Sequence, residues 1–398
     1  MIVRRIQGQK YLFLFAIILA WAIPSLRLGI QLTPSSETVI ESTLNLIPTI
    51  QKENITITVL VDFRAGWRDW GFSFVEARQL QLYGRYQHRV MWLHFTERSK
   101  RLQKIASSSE HCVLVSNPKG LEKIRQEYAP NCKTWIINDE YCKHQGDIRH
   151  YFHQRNASSQ LFLPLGPRFD FDKAYTNRTT TTLLPTSQRP LQFNAIFSQS
   201  TSPSRKALNH LLLHTAKYNS STTEYFIQIP GKWRRKMHPI FHVNSTRYVG
   251  ILSQSQFTLS PTGHNPECFR FYESILMGSI PVVVIGDEEY QTHACPNALQ
   301  PLLESALQYT GMAKPQALSS TPGQRDGQYH PKELVDLSVQ NSLPFVVLQD
   351  WNQLEEVLTK ILQQGPKALD IRQERLVQWY RHFMQEQVWK LEDYLVKN

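Results

Sequence analysis

Arg270 and Glu273 stand three residues apart, just behind the turn Thr262-Gly263-His264-Asn265-Pro266. At that spacing two side chains share one face of a helix. A glycine turn that feeds a helix N-terminus presents backbone N–H groups with no internal partner, and these favour a phosphate. Gly263 serves either unusual backbone angles or a close approach of backbone to ligand. A guanidinium beside such a loop suits a diphosphate, and a carboxylate suits ribose hydroxyls. The chemistry these residues point to is the holding of a nucleotide sugar: Arg270 on the diphosphate, Glu273 on the ribose, Gly263 beneath the phosphate. Glu267, at the helix start, either contacts the sugar or favours the helix dipole. The competing reading is an Arg–Glu pair on a solvated surface, worth about 0–1 kcal/mol.

The elements that must position these residues lie in residues 257–286, which read as strand, glycine loop, helix and strand. Phe257 and Leu259 fit a short strand running into Pro261. The helix is expected over 267–277, with Phe269, Tyr272, Ile275 and Leu276 as its buried stripe. Arg270 and Glu273 lie off that stripe, so replacing them is expected to leave the fold intact. Gly278 is a helix stop. Residues 280–285, an apolar run rich in β-branched side chains, fit a buried parallel strand.

Upstream, strands are expected at 55–61, 90–95, 112–115 and 134–137, with a helix at 121–128. Downstream of a polar linker at 184–190, strands are expected at 191–197, 225–229 and 344–348. Helices are expected at 205–217, capped by Ser204, at 242–253, at 351–362 and at 372–396. Residues 287–342 carry no readable period. Strands alternating with helices argue an α/β fold built on parallel sheets, and the length of 398 residues suits two domains. Ligands in such sheets sit beyond the carboxyl ends of the strands. Asp139 and Glu140, at one such end, are candidates for a general base; an Asx turn closing the strand is the alternative. Lys232, Trp233, Arg234 and Arg235 follow another strand end. They read as a second anion site, for the donor diphosphate or an acceptor phosphate, or as a solvated loop.

The net charge of +11 suits anionic partners. The sequence holds no nucleic-acid module, so phosphorylated small ligands are the better match. Asp170-Phe171-Asp172 has the form of a metal–diphosphate motif but sits in a poorly patterned stretch and reads as loop; no metal and no cofactor is expected. The absence of any CxxC pair argues against structural zinc. Five cysteines leave at least one thiol unpaired, and their connectivity stays open. Cys268 reads as a packing residue.

Arg4, Arg5 and Lys10 precede an apolar run at 11–23 that can extend to residue 30. A small-x-small site at Ala20-Trp21-Ala22 leaves cleavage open, and the flank charge predicts a cytoplasmic N-terminus with the remainder lumenal. Asn54, Asn156, Asn177, Asn219 and Asn244 head Asn-x-Ser/Thr sequons, which support lumenal exposure. The organisation expected is a tail (1–10), a signal-anchor helix (11–30), a stem (31–53), an acceptor-side α/β domain (54–185), a nucleotide-sugar-binding α/β domain (190–365) and a C-terminal helix (366–398).

The run NPECFRFYESILMGSIPVVV resembles the donor-site signature of exostosin-like glycosyltransferases, and most of all that of the ribitol-5-phosphate xylosyltransferase family. Asn138-Asp139-Glu140-Tyr141-Cys142, Leu163-Pro164-Leu165-Gly166 and LVQWYRHF at 376–383 fit the same family in the same order. The chain departs from it at Val284, where the family tends to place a glutamate; Asp287 and Glu288 lie slightly later. The resemblance implies a GT-B architecture, two Rossmann-like domains with a cleft between them. It implies inverting transfer of xylose from UDP-xylose to ribitol-5-phosphate on the O-mannosyl glycan of α-dystroglycan, by a Golgi type II membrane protein, with other Golgi transferases as possible partners. The alternatives are another UDP-sugar, such as UDP-glucuronic acid or UDP-N-acetylglucosamine, and a non-catalytic lumenal glycan-binding or chaperone subunit.

Overall fold

The structure, a computed structural model, describes residues 53–62, 82–93, 100–116, 125–127, 129–136, 148–150, 161–164, 166–168, 171, 175, 182–199, 202–219, 224–230, 244–263, 267–285, 299–312 and 337–397. The expected tail, anchor and nearly all of the stem lie outside them. Among the described residues no helix is long and apolar enough to cross a membrane.

The first sheet comprises β1 (Glu53–Asp62), β2 (Tyr86–Leu93), β3 (His111–Ser116), β4 (Lys133–Ile136), β5 (Ile148–His150) and β6 (Leu161–Leu163), with α1 (Lys100–Ser108) between β2 and β3. Its order is β2-β1-β3-β4-β5-β6, and every described pairing is parallel. Both faces are covered, as parallel sheets require. Ile57, Val59, Val113 and Val115 enter one core, while Leu60 and Leu114 enter another with Ala106. Cys112 and Cys132 form a disulfide that ties the starts of β3 and β4.

The second sheet comprises β7 (Leu191–Ile196), β8 (Tyr225–Gln228), β9 (Ser255–Leu259), β10 (Ile280–Val284) and β11 (Val346–Leu348). Its order is β11-β10-β9-β7-β8, again parallel throughout. The helices of this half are α2 (Pro203–His214), α3 (Ala216–Asn219), α4 (Ser245–Gln254), α5 (Phe269–Leu276), α6 (Gln300–Tyr309), α7 (Leu337–Ser342), α8 (Leu354–Leu362) and α9 (Pro366–Lys397). In each sheet the chain steps one strand outward, then crosses back over its first strand and continues on the other side. This is the doubly wound 2-1-3-4-5 order, whose switch points fall between β1 and β3 and between β7 and β9.

One helix serves both cores. Leu376, Trp379, Tyr380 and Phe383 of α9 pack beneath the second sheet, and Val388, Leu391 and Leu395 pack on β1 and β3 of the first. Glu392 of α9 is fully buried and accepts from the backbone N–H groups of Arg85, at 2.9 Å, and Tyr86, at 3.1 Å, where β2 begins.

The strand expectations hold with shifted ends; the second strand starts at Tyr86 rather than residue 90. Two readings are corrected. The stretch 287–342 is not devoid of regular structure, because α6 and α7 fall inside it. The cap of α2 is Ser202, which accepts from Arg205 N, because Pro203 fits a first helical turn; Ser204 is buried and accepts from Trp351 Nε1 at 2.9 Å instead.

Candidate functional site

The switch point between β7 and β9 is where a doubly wound sheet opens a crevice at the carboxyl ends of its strands. Beyond β7 the chain runs through Phe197 and Ser198 to α2. Beyond β9 it runs through Ser260 and Thr262 to Gly263, and resumes in description at Glu267 and α5. Ser202 Oγ donates to Thr262 O at 2.7 Å, and Arg205 Nε donates to the same oxygen at 2.9 Å. Arg205 Nη1 reaches the backbone and side-chain oxygens of Ser198 at 3.4 Å. The first turn of α2 thus fastens the two strand ends together.

Arg270 comes to this place from the first turn of α5. It is 9% exposed, its guanidinium carbon lies 5.8 Å from the centre of the Phe197 ring, and its Nε and Nη1 are buried with no acceptor among the described residues. Arg205 is partly buried. Burial first, and the charge of Arg270 second, push its pKa down to about 9. Neither arginine meets a carboxylate in an ion pair among the described residues. Cys268 is the N-cap of α5 and makes no side-chain cap bond; its thiol, free and buried, lies 3.0 Å from Ser260 Oγ. Two guanidiniums therefore stand in the first turns of α2 and α5, near the N-terminus of α5, with no ion pair to either among the described residues. Such an arrangement fits a dianion, whose oxygens would take the orphaned donors.

Glu273 sits as expected one turn beyond Arg270, but it is not an open acceptor on a solvated face. It is 1% exposed. Its Oε1 accepts from Arg168 N at 3.2 Å and Arg168 Nε at 3.0 Å, and its Oε2 accepts from Tyr248 Oη at 2.8 Å. Burial first, then the Glu273 charge, raises the Tyr248 pKa well above the usual phenol range. Glu267 is buried too and accepts from the Tyr272 hydroxyl. The expected single apolar stripe understates α5. Tyr272 and Ile275 are buried as foreseen and Phe269 and Leu276 only half-buried, whereas Arg270, Phe271, Glu273 and Ser274 are buried as well, because α9 and α4 flank the helix.

The structure therefore gathers Gly263, Glu267, Arg270 and Glu273 around one strand end. Asp139, Glu140, Lys232, Trp233, Arg234, Arg235, Asp287 and Glu288 lie outside the described residues, as do Asn156 and Asn177. Asn54 and Asn244 are exposed, and Asn244 also caps α4 through Arg247 N at 2.8 Å; Asn219 closes α3. Asp170 and Asp172 lie outside the described residues; Phe171 between them is helical, fully buried and edge-on to Tyr248 at 6.0 Å. Among the described residues no group of three metal-ligating side chains forms. Arg205 and Arg168 are the additions to the predicted set.

The family described as the RXYLT1 C-terminal domain matches residues 172–308 and 318–397. Ribitol-5-phosphate xylosyltransferase 1 of Danio rerio is 26% identical over 210 residues, 53% of this chain and 39% of that protein. The protein of the same name from Homo sapiens is 31% identical over 144 residues, 35% of this chain and 24% of that protein. The matched stretches thus span well under half of either relative. A solved alpha-glucosyltransferase in complex with UDP and a 13-mer DNA containing a HMU base covers 86% of this chain and 100% of its own, at 12% identity and a TM-score of 0.45.

Proposed function

The chain belongs to the ribitol-5-phosphate xylosyltransferase family through its RXYLT1 C-terminal domain, and from that premise we propose that it is a glycosyltransferase holding the diphosphate of a UDP-sugar between Arg205 and Arg270. The observation that carries this reading is the pair of guanidiniums at the β7–β9 switch point, with Arg270 Nε and Nη1 buried and without an acceptor among the described residues. A bound diphosphate would satisfy those donors. It would also gain most as negative charge grows on it during departure, which is the condition for lowering a barrier rather than merely binding substrate.

The donor in this proposal is UDP-xylose, and the acceptor is ribitol-5-phosphate on the O-mannosyl glycan of α-dystroglycan. The names of the relatives support that choice. In an inverting reaction an acceptor hydroxyl oxygen bonds to the anomeric carbon from the face opposite UDP. A carboxylate takes the hydroxyl proton, and the bond from the anomeric carbon to the phosphate oxygen breaks. Asp139 and Glu140, just beyond β4, are our candidates for the base. Lys232, Arg234 and Arg235, with Trp233 as a flat face, are our candidates for the acceptor phosphate. The two doubly wound sheets are compatible with the two halves of a GT-B enzyme. We place the protein in the Golgi membrane with its C-terminal portion lumenal. The Cys112–Cys132 disulfide supports an oxidising compartment, and exposed Asn54 and Asn244 support glycosylation.

UDP release by the purified full-length protein, with a panel of UDP-sugars and a ribitol-phosphate acceptor, tests this. Turnover with UDP-xylose, insensitive to chelator, is expected. Preference for another UDP-sugar would reassign the donor, and UDP binding without turnover on any sugar would indicate a non-catalytic subunit.

A further inference from the structure

An arginine and a glutamate at i and i+3 on one helix are neighbours on its surface and within reach of an ion pair. Arg270 and Glu273 do not form one, and Arg270 Nε and Nη1 stay without an acceptor among the described residues. The reason lies in a residue far away in sequence. Arg168, in the segment that leaves β6, donates to Glu273 Oε1 through both its backbone N–H and its Nε. Its guanidinium carbon also stands 5.8 Å from the centre of the Tyr248 ring, and the Tyr248 hydroxyl engages the other carboxylate oxygen. The carboxylate is thereby held by a second cation and a phenol, one helical turn from a guanidinium it could otherwise neutralise.

We infer that Arg168 is a positioning residue for the donor site: by occupying Glu273, it withholds the carboxylate from Arg270 and keeps that guanidinium available to an anion. The inference rests on reading Arg270 as a diphosphate ligand. It gives Glu273 a part other than accepting from ribose. It also links the segment after the first sheet to the binding competence of the second.

The test is UDP affinity, by titration calorimetry on the full-length protein, with a melting curve for each variant. Arg168→Met frees Glu273 to turn to Arg270 and should weaken UDP roughly tenfold, within the range of couplings between neighbouring charges. Arg168→Lys keeps a cation on the carboxylate and should stay near wild type. The double variant Arg168→Met with Glu273→Gln should recover most of the lost affinity, because a neutral amide no longer competes for Arg270. A merely structural role for Arg168 predicts no such recovery. If Arg168→Met does not fold, Glu273→Gln alone decides: unchanged or tighter UDP binding upholds the inference, and weaker binding overturns it by restoring Glu273 to the ribose. Unaltered affinity in Arg168→Met, or a loss that Glu273→Gln leaves in place, also overturns it. Unaltered affinity in Arg270→Met overturns both this inference and the reading beneath it, whereas failure at Arg168 alone leaves the donor site standing.

Discussion

Arg270 lies close enough to Arg205 for its charge to add to burial in holding the Arg205 guanidinium well below its usual range, at about 9. The two belong to the first turns of α2 and α5, the helices that follow neighbouring strands β7 and β9. Like charges brought together at the edge of a core are costly unless something of opposite sign joins them. The switch point of the sheet is where that something would sit.

The turn behind this site tolerates no side chain at Gly278. Its φ of 67° already disfavours one, and a Cβ there would stand 2.4 Å from Gln373 Nε2 and 2.8 Å from Arg189 Nη2. Neither neighbour can retreat freely. Gln373 Nε2 donates to Gly278 O at 3.1 Å, and Arg189 Nη2 donates to Met277 O at 2.8 Å. Gly278→Ala should cost about 1–3 kcal/mol, as strained backbone positions do. Denaturant unfolding measures it, and a wild-type midpoint would contradict the packing described.

Removing the Cys112–Cys132 bond opens a loop with a sequence separation of 20. Cys132→Ser should lose about 3 kcal/mol, the chain-entropy value for a loop of that size. Thermal melting of the variant against the oxidised wild type checks this; equal melting temperatures would show that the first sheet does not need the link.

Glu392 ties α9 to the start of β2, and burial raises its pKa despite the opposing bonds from Arg85 and Tyr86. The folded state therefore binds its proton more tightly than the unfolded chain does. That contribution to stability is full below the unfolded value and is lost as pH rises through the folded one. Glu392→Gln should flatten stability against pH on the alkaline side of the ordinary glutamate value. Glu392→Ala should cost about 3 kcal/mol or more, by leaving buried donors without an acceptor. Urea unfolding from pH 4 to 8 separates the two; identical slopes for wild type and Gln would remove Glu392 as the titrating group.

Much of this was legible from local pattern. Alternation in Ile-Thr-Ile-Thr-Val gives β1, and the β-branched run at 280–284 gives β10, because a strand covered on both faces must be apolar along its length. The Arg270 spacing was legible too, since it lies within one strand–helix unit; residues 264–266 of the expected turn lie outside the described residues. Arg168 was not, because it meets Glu273 across 105 residues and nothing local announces it. Arg205 stood in the first turn of the expected helix too, but its part was not legible, because it meets Thr262 across 57 residues. The burial of Arg270 and Glu273 depends on α9 and α4, which no periodicity within 269–276 can reveal.

UDP affinity and turnover of Arg270→Met, measured beside its melting curve without nucleotide, test the central claim most directly. Methionine keeps an unbranched stem near Phe197 while removing a buried cation whose donors find no described acceptor. The account predicts weaker UDP binding, turnover lower by roughly 10²-fold or more, and a melting temperature no lower than that of the wild type. Unchanged binding and turnover with a lowered melting temperature would make Arg270 a structural cation and move the donor site elsewhere.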